Sequence, residues 1–380
     1  MCRVSVVVSI LLSLVACEKA QEKVDKGVSF ELAKERKSNI GGVSYRLYFS
    51  IPKEREEPIM AESEIFFELS ELTPVVLDFK ETEDKILAVT SGGKRVPYTF
   101  KNEHIIIQPE HLKEGRNELN IQFIAGESSL NRSEDLMYTL LVPDRCRTLM
   151  PCFDQPDIKA RFKLTLKIPA GWQAIANGER IRVEYFNDYK LYEFGETKPL
   201  STYLFAFSVG RFSYTERFMD NRWIGIYHRE TDTAKINASI PEIARQVSHS
   251  LEWMERYTGI RYPFEVYNVV AIPAFQYGGM EHPGATFYKS STLFLDRDAD
   301  LTAQMKRSEL IAHETAHMWF GDYVTMKWFN DVWLKEVFAG FMADKIIAQL
   351  YPEVNHQLNF FLNHYEPALR TDRTRGTHPI

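Results

Sequence analysis

The pentapeptide His313-Glu314-Thr315-Ala316-His317 constrains this chain more than any other feature. Histidines four residues apart share a face only when the segment is helical, so the motif predicts a helix carrying two imidazoles that can reach one ion. Leu301 to Phe320 has the periodicity of that helix, with Thr302 as the expected N-cap and Gly321 at its carboxyl end. Two imidazoles do not complete a catalytic zinc site, which uses three protein ligands and keeps a fourth position for water. Glu336 lies 19 residues after His317 on the next predicted helix, Asp331 to Leu350, and a helical hairpin of that length can fold it back over the pair. One Zn2+ per chain, held by His313, His317 and Glu336, is the expectation. Glu314 projects about 100° around the helix axis from His313, toward the open side of the ion, where it can serve as general base. The alternative, satisfied core histidines or a surface pair, leaves the spacing to Glu336 unexplained.

The 380 residues, 44% hydrophobic and 26% charged, can fill two or three domains. We read two. From about residue 38 to 209 short strand-like runs alternate with turn signals such as Ser91-Gly92-Gly93. In Arg161 to Ile168, Phe162, Leu164, Leu166 and Ile168 alternate with Arg161, Lys163, Thr165 and Lys167, giving one buried and one wet face. Residues 38–209 are therefore expected as an antiparallel β domain. Near residue 210 the period changes from two toward 3.6, so 210–380 is read as a mixed domain, with a helix from Ile240 to Tyr257, stopped before Gly259, and a strand from Tyr267 to Ala271. The fold class is α+β.

A net charge of −6 without a basic stripe argues against nucleic acid as a partner. The apolar run Val4 to Ala16 is too short to span a bilayer as a helix and reads as a secretory signal. Its end, Leu14-Val15-Ala16-Cys17, resembles the bacterial lipobox. That resemblance implies a lipoprotein signal peptide over 1–17, lipidation and membrane anchoring at Cys17, export from the cytoplasm with the outer membrane favoured, and a solvated charged tether over 18–37. Cys146 and Cys152 are expected as two buried thiols. His104, His228, His249, His356 and His364 have no ligand spacing and read as ordinary surface or core residues.

The stretch from His313 to Glu336 resembles the zinc-binding segment of the aminopeptidase N family of zinc exopeptidases, in the gluzincin group. Gly278-Gly279-Met280-Glu281-His282 is similar to that family's Gly-x-Met-Glu-Asn motif, and Pro151-Cys152-Phe153-Asp154-Gln155-Pro156 to its Pro-Cys-Phe-Asp-Glu-Pro turn. The resemblance implies an amino-terminal β saddle followed by a thermolysin-like catalytic domain. It also implies that Glu281 binds the free α-amine of a peptide and that the backbone at Gly278–Met280 pairs with the substrate as an added strand. Three departures stand out. His282 occupies the Asn position, which would make a substrate contact depend on pH near neutrality. Thr139-Leu140-Leu141-Val142-Pro143 lacks a second acidic residue, so Leu140 is expected toward the first side-chain pocket, and Lys335 and Val337 replace the usual Asn and Gly beside the ligand. Only Tyr351 and Tyr365 follow Glu336, neither at the spacing of the family's oxyanion-stabilising tyrosine, so the catalytic domain is expected to be truncated, with a missing carboxyl-terminal part of the same protein as its partner. Phe275 and Tyr277 are candidates for cleft or core. The functions implied are hydrolysis of peptides with a free amino terminus, a catalytically impaired peptide-binding or scaffold module, or, with no feature of its own, epoxide hydrolysis.

Overall fold

The computed structural model describes residues 24–374; the leader, Cys17 and residues 375–380 lie outside them. The amino-terminal half is built on an eight-stranded sheet in the order Arg180–Tyr185, Tyr189–Phe194, Arg161–Pro169, Ile40–Ser50, Met60–Leu69, Gly115–Ile124, Ile86–Ser91, Lys94–Arg95. Two smaller sheets, of four and three strands, complete it. The alternation in Arg161–Pro169 does what it predicts: Phe162, Leu164, Leu166 and Ile168 are buried, and Phe162 stacks between Tyr45 and Phe205.

The antiparallel expectation needs one correction. Ile40–Ser50 runs antiparallel to Met60–Leu69 but parallel to Arg161–Pro169, with Tyr45 opposite Phe162. A parallel partner requires a long crossover, here residues 51–160, and period-two alternation is the same for either direction. The tether is corrected too. Within 18–37 the described part is not a solvated spacer, because Phe30–Asn39 is a helix capped by the Ser29 hydroxyl, and Ala33 and Arg36 are buried. The Arg36 guanidinium donates to both carboxylate oxygens of Asp78, at 2.8 and 2.5 Å, and to the Val76 carbonyl at 2.8 Å. His104 Nδ1 stands 2.8 Å from the same carboxylate, which also accepts the Asp154 amide. Burial alone would raise the Asp78 carboxyl, but Arg36 and His104 override it and hold the group at about 2. Replacing Arg36 by Leu leaves a buried carboxylate without its main counter-ion and should cost about 3–5 kcal/mol, read as a lower urea midpoint at unchanged slope.

The second half places helices on a five-stranded mixed sheet in the order Ser213–Met219, Arg222–His228, Tyr267–Ile272, Thr286–Lys289, Gly279–Met280. The helix expected from Ile240 begins earlier, at Thr233, with Asp232 as its cap, and ends at Thr258 with Gly259 left-handed at φ 70°. The motif helix is Leu301–His317; Asp300, not Thr302, caps it, its carboxylate accepting the Ala303 amide at 2.8 Å, and it closes three residues before Phe320. The following helix is Val332–Leu350. A 3-10 turn at Thr202–Leu204 precedes a strand at Phe207–Gly210.

The β half braces the loops of the second half. Tyr138 meets Phe275 and Phe287 edge-on, the Asn177 amide donates to the Pro283 carbonyl, Lys159 Nζ donates to the carbonyls of Asp322 and Tyr323, and Tyr203 donates to that of Gly321. Cys146 and Cys152 are free and buried. Among the described residues no helix is long and apolar enough to cross a membrane.

Candidate active site

A cavity of about 1060 Å³ lies between the motif helix, the helix Val332–Leu350 and the short strand Gly279–Met280. His313 and His317, one turn apart, point their Nε2 atoms to within 3.1 Å of each other. Glu336 Oε2 from the next helix stands 3.4 Å from the first and 3.5 Å from the second. Donors about 2.0–2.1 Å from a tetrahedral ion are separated by roughly 3.3 Å, so these three atoms fit such an ion by spacing as well as chemistry. His317 Nδ1 lies 3.1 Å from the Phe320 carbonyl oxygen, which can only accept, so the tautomer that donates Nδ1–H to it leaves the Nε2 lone pair for an ion. The motif helix is fixed from beneath by Thr315, whose hydroxyl bonds that of Tyr267 at 3.0 Å, itself bonded to Tyr288 at 2.9 Å.

Glu314 is buried in the cavity wall, and its carboxylate, that of Glu281 and the His317 ring have ligand atoms within 4.8 Å of one another. Burial pushes the Glu314 carboxyl up to about 8, with Glu281 adding and His313 opposing; a cation beside it would draw it back down. Gly279 is required by this closeness, because a Cβ there would stand 2.3 Å from a Glu314 oxygen. The Gly279–Met280 strand is the last of its sheet, and among the described residues it pairs only with Thr286–Lys289, which leaves its other edge open. Gly278, Gly279, Met280 and Glu281 all line the cavity.

Comparison with known proteins places the chain in a family. A family model described as the Peptidase M1 N-terminal domain matches residues 43–204, and one described as the Peptidase family M1 domain matches residues 244–380. The chain belongs to peptidase family M1. It is 39% identical over 235 residues to a leucyl aminopeptidase of Saccharolobus solfataricus, covering 62% of this chain and 29% of that protein. It is 34% identical over 323 residues to a probable aminopeptidase of Sulfurisphaera tokodaii, covering 82% and 39% respectively. Aminopeptidase M1-A of Oryza sativa is 32% identical over 249 residues, covering 65% and 28%. The chain thus spans well under half the length of these relatives.

Several residues fall where the sequence did not put them. His282 is not in the cleft: it is fully buried, its ring edge-on to Phe287, and burial holds the imidazole down at about 3. It therefore stays neutral near pH 7 and supplies no pH-dependent substrate contact. Leu140 is in the core, while Val142 and Pro143 line the cavity. Tyr277 lines it as well, but Phe275 is core. His364, read as ordinary, comes within 4.8 Å of Glu309 and Asp344 at the cavity wall. Lys335, marked in the sequence only as a replacement beside the expected ligand, has a role there that the sequence did not show. Its Nζ donates to Glu281 Oε1 at 2.5 Å and to Glu336 Oε1 at 2.6 Å. Burial would raise the Glu281 carboxyl, but Lys335 overrides it and holds the group at about 2; Glu336 is likewise held well below the usual carboxylate range by the two imidazoles and Lys335, against its burial. The signal in the sequence was a lysine directly before Glu336, in place of the Asn of the family it resembles.

Proposed function

We propose that the protein is a zinc-dependent aminopeptidase that removes the amino-terminal residue of peptides with a free α-amine. The observation that carries this is the meeting of three nitrogen and oxygen donors 3.1 to 3.5 Å apart with two buried carboxylates, Glu314 and Glu281, beside a free strand edge. Two imidazoles and a single carboxylate form a ligand set that suits zinc among the divalent ions. When bound, Zn2+ supplies a Lewis acid that polarises a carbonyl and acidifies water. Glu314, whose carboxyl a neighbouring cation keeps ionised, takes a proton from the attacking water on its carboxylate and returns it to the leaving amine. The edge of Gly279–Met280 holds the peptide extended by backbone hydrogen bonds, and Glu281 receives the ammonium group, which limits cleavage to the first bond. Action outside the cytoplasm, with an anchor at Cys17, is part of the proposal and rests on the lipobox resemblance alone.

Removal of metal by a chelator should abolish release of nitroaniline from an unblocked leucine p-nitroanilide, and about one equivalent of Zn2+ should restore it. Zinc should also raise the melting temperature, since it binds the folded state. A protein that binds no zinc would be the scaffold module instead; equal cleavage of amino-terminally blocked peptides would remove the exopeptidase assignment.

A further inference from the structure

The contact between Lys335 and Glu281 pairs the carboxylate assigned to a substrate's ammonium with an ammonium from the chain itself. We propose that Lys335 is a specificity-determining residue, which occupies Glu281 from within and so sets how strongly the cleft distinguishes a free amino terminus from a blocked one. The inference rests on the aminopeptidase reading above.

Three observations support it. Lys335 lines the cavity yet is only 6% exposed, and Glu281 is 3% exposed, so their attraction is little screened by water. The lysine cannot readily swing away. Its stem fills the space left by Gly321, where a Cβ would stand 3.3 Å from Lys335 Cδ, and the Tyr203 ring lies 5.8 Å from its Nζ. Finally, one ammonium serves two carboxylates, bonding Oε1 of Glu336 while Oε2 of that residue faces the imidazoles. A peptide ammonium that approaches Glu281 therefore meets a carboxylate already paired and a second positive charge beside it. That charge weakens recognition of free amines and leaves neutral, acylated termini untouched, which is discrimination set by a repulsive element.

The test is calorimetric binding of L-leucinamide and N-acetyl-L-leucinamide to zinc-saturated protein in a Glu314→Gln background, where turnover is suppressed. With Lys335 present, the free amine should still bind more tightly than the blocked one, but by only about two- to tenfold. Lys335→Asn and Lys335→Met should each increase it by about tenfold or more, the size of coupling that close charge pairs show. Adding Glu281→Gln should cancel the gain, and Lys335→Arg should keep the parental ratio. An unchanged ratio in folded Lys335→Asn and Lys335→Met overturns the assignment. So does a preference above about a thousandfold with Lys335 in place, which needs no variant at that position to fold. Binding of neither amide to any form would overturn the aminopeptidase reading and this inference with it, whereas an unchanged ratio with both amides bound overturns the role of Lys335 alone.

Discussion

Glu314→Gln should lower kcat for an unblocked aminoacyl amide by about 10²–10⁴-fold, the usual contribution of a positioned general base, while zinc content stays at one per chain. The amide has nearly the shape of the carboxylate, so the helix and its two imidazoles are not disturbed. It cannot accept the water's proton, and the loss falls on turnover rather than on substrate binding. Glu314 is not among the three donors that face one another, so metal analysis separates this outcome from loss of the ion. If turnover fell by less than about threefold, some other group would have to move the proton.

Gly279→Ala should be nearly as damaging although it adds one methyl group. The new Cβ would stand 2.3 Å from Glu314 Oε1 and 2.5 Å from its carboxyl carbon, closer than real side chains approach. Gly279 is absent from the glycines with positive φ, so the substitution does not strain the backbone, and the effect should come through displacement of Glu314. A shift of about 1 Å in a catalytic group can cost on the order of 10²-fold. The expected result is a fall of that size in kcat/KM with zinc content and melting temperature little changed. Gly278→Ala is the matched control, because its Cβ would meet only the two terminal methyls of Leu310, at 3.1 and 3.9 Å, which can turn aside.

How far the sequence revealed this site depended on the distance over which each relation acts. His313 and His317 are related by one helical turn, and Glu336 by one hairpin, so local periodicity was enough to bring them together. Glu281 directly follows the strand Gly279–Met280, far from the helical hairpin in sequence, and was reachable only through family resemblance. Lys335 and His282 each neighbour a recognised residue, but which way a neighbouring side chain turns depends on what packs against it. The lysine turned inward onto two carboxylates, and the histidine turned onto Phe287. The same reasoning explains the misread helix Phe30–Asn39. Its buried members are one alanine and one arginine, so its composition resembles a solvated segment, and only the distant Asp78 makes burial of that arginine favourable.

The parallel pairing of Ile40–Ser50 with Arg161–Pro169 also bears on how the molecule is made. A nascent chain emerging at about 5–20 residues per second brings out the second of these segments some 6–22 s after the first. During that interval Met60–Leu69 and Gly115–Ile124 can join the growing sheet by hairpin-like pairing, but the seam on the other side of Ile40–Ser50 must wait. A ribosome stalled before residue 161 would therefore hold an open, adhesive edge in the middle of what becomes the largest sheet.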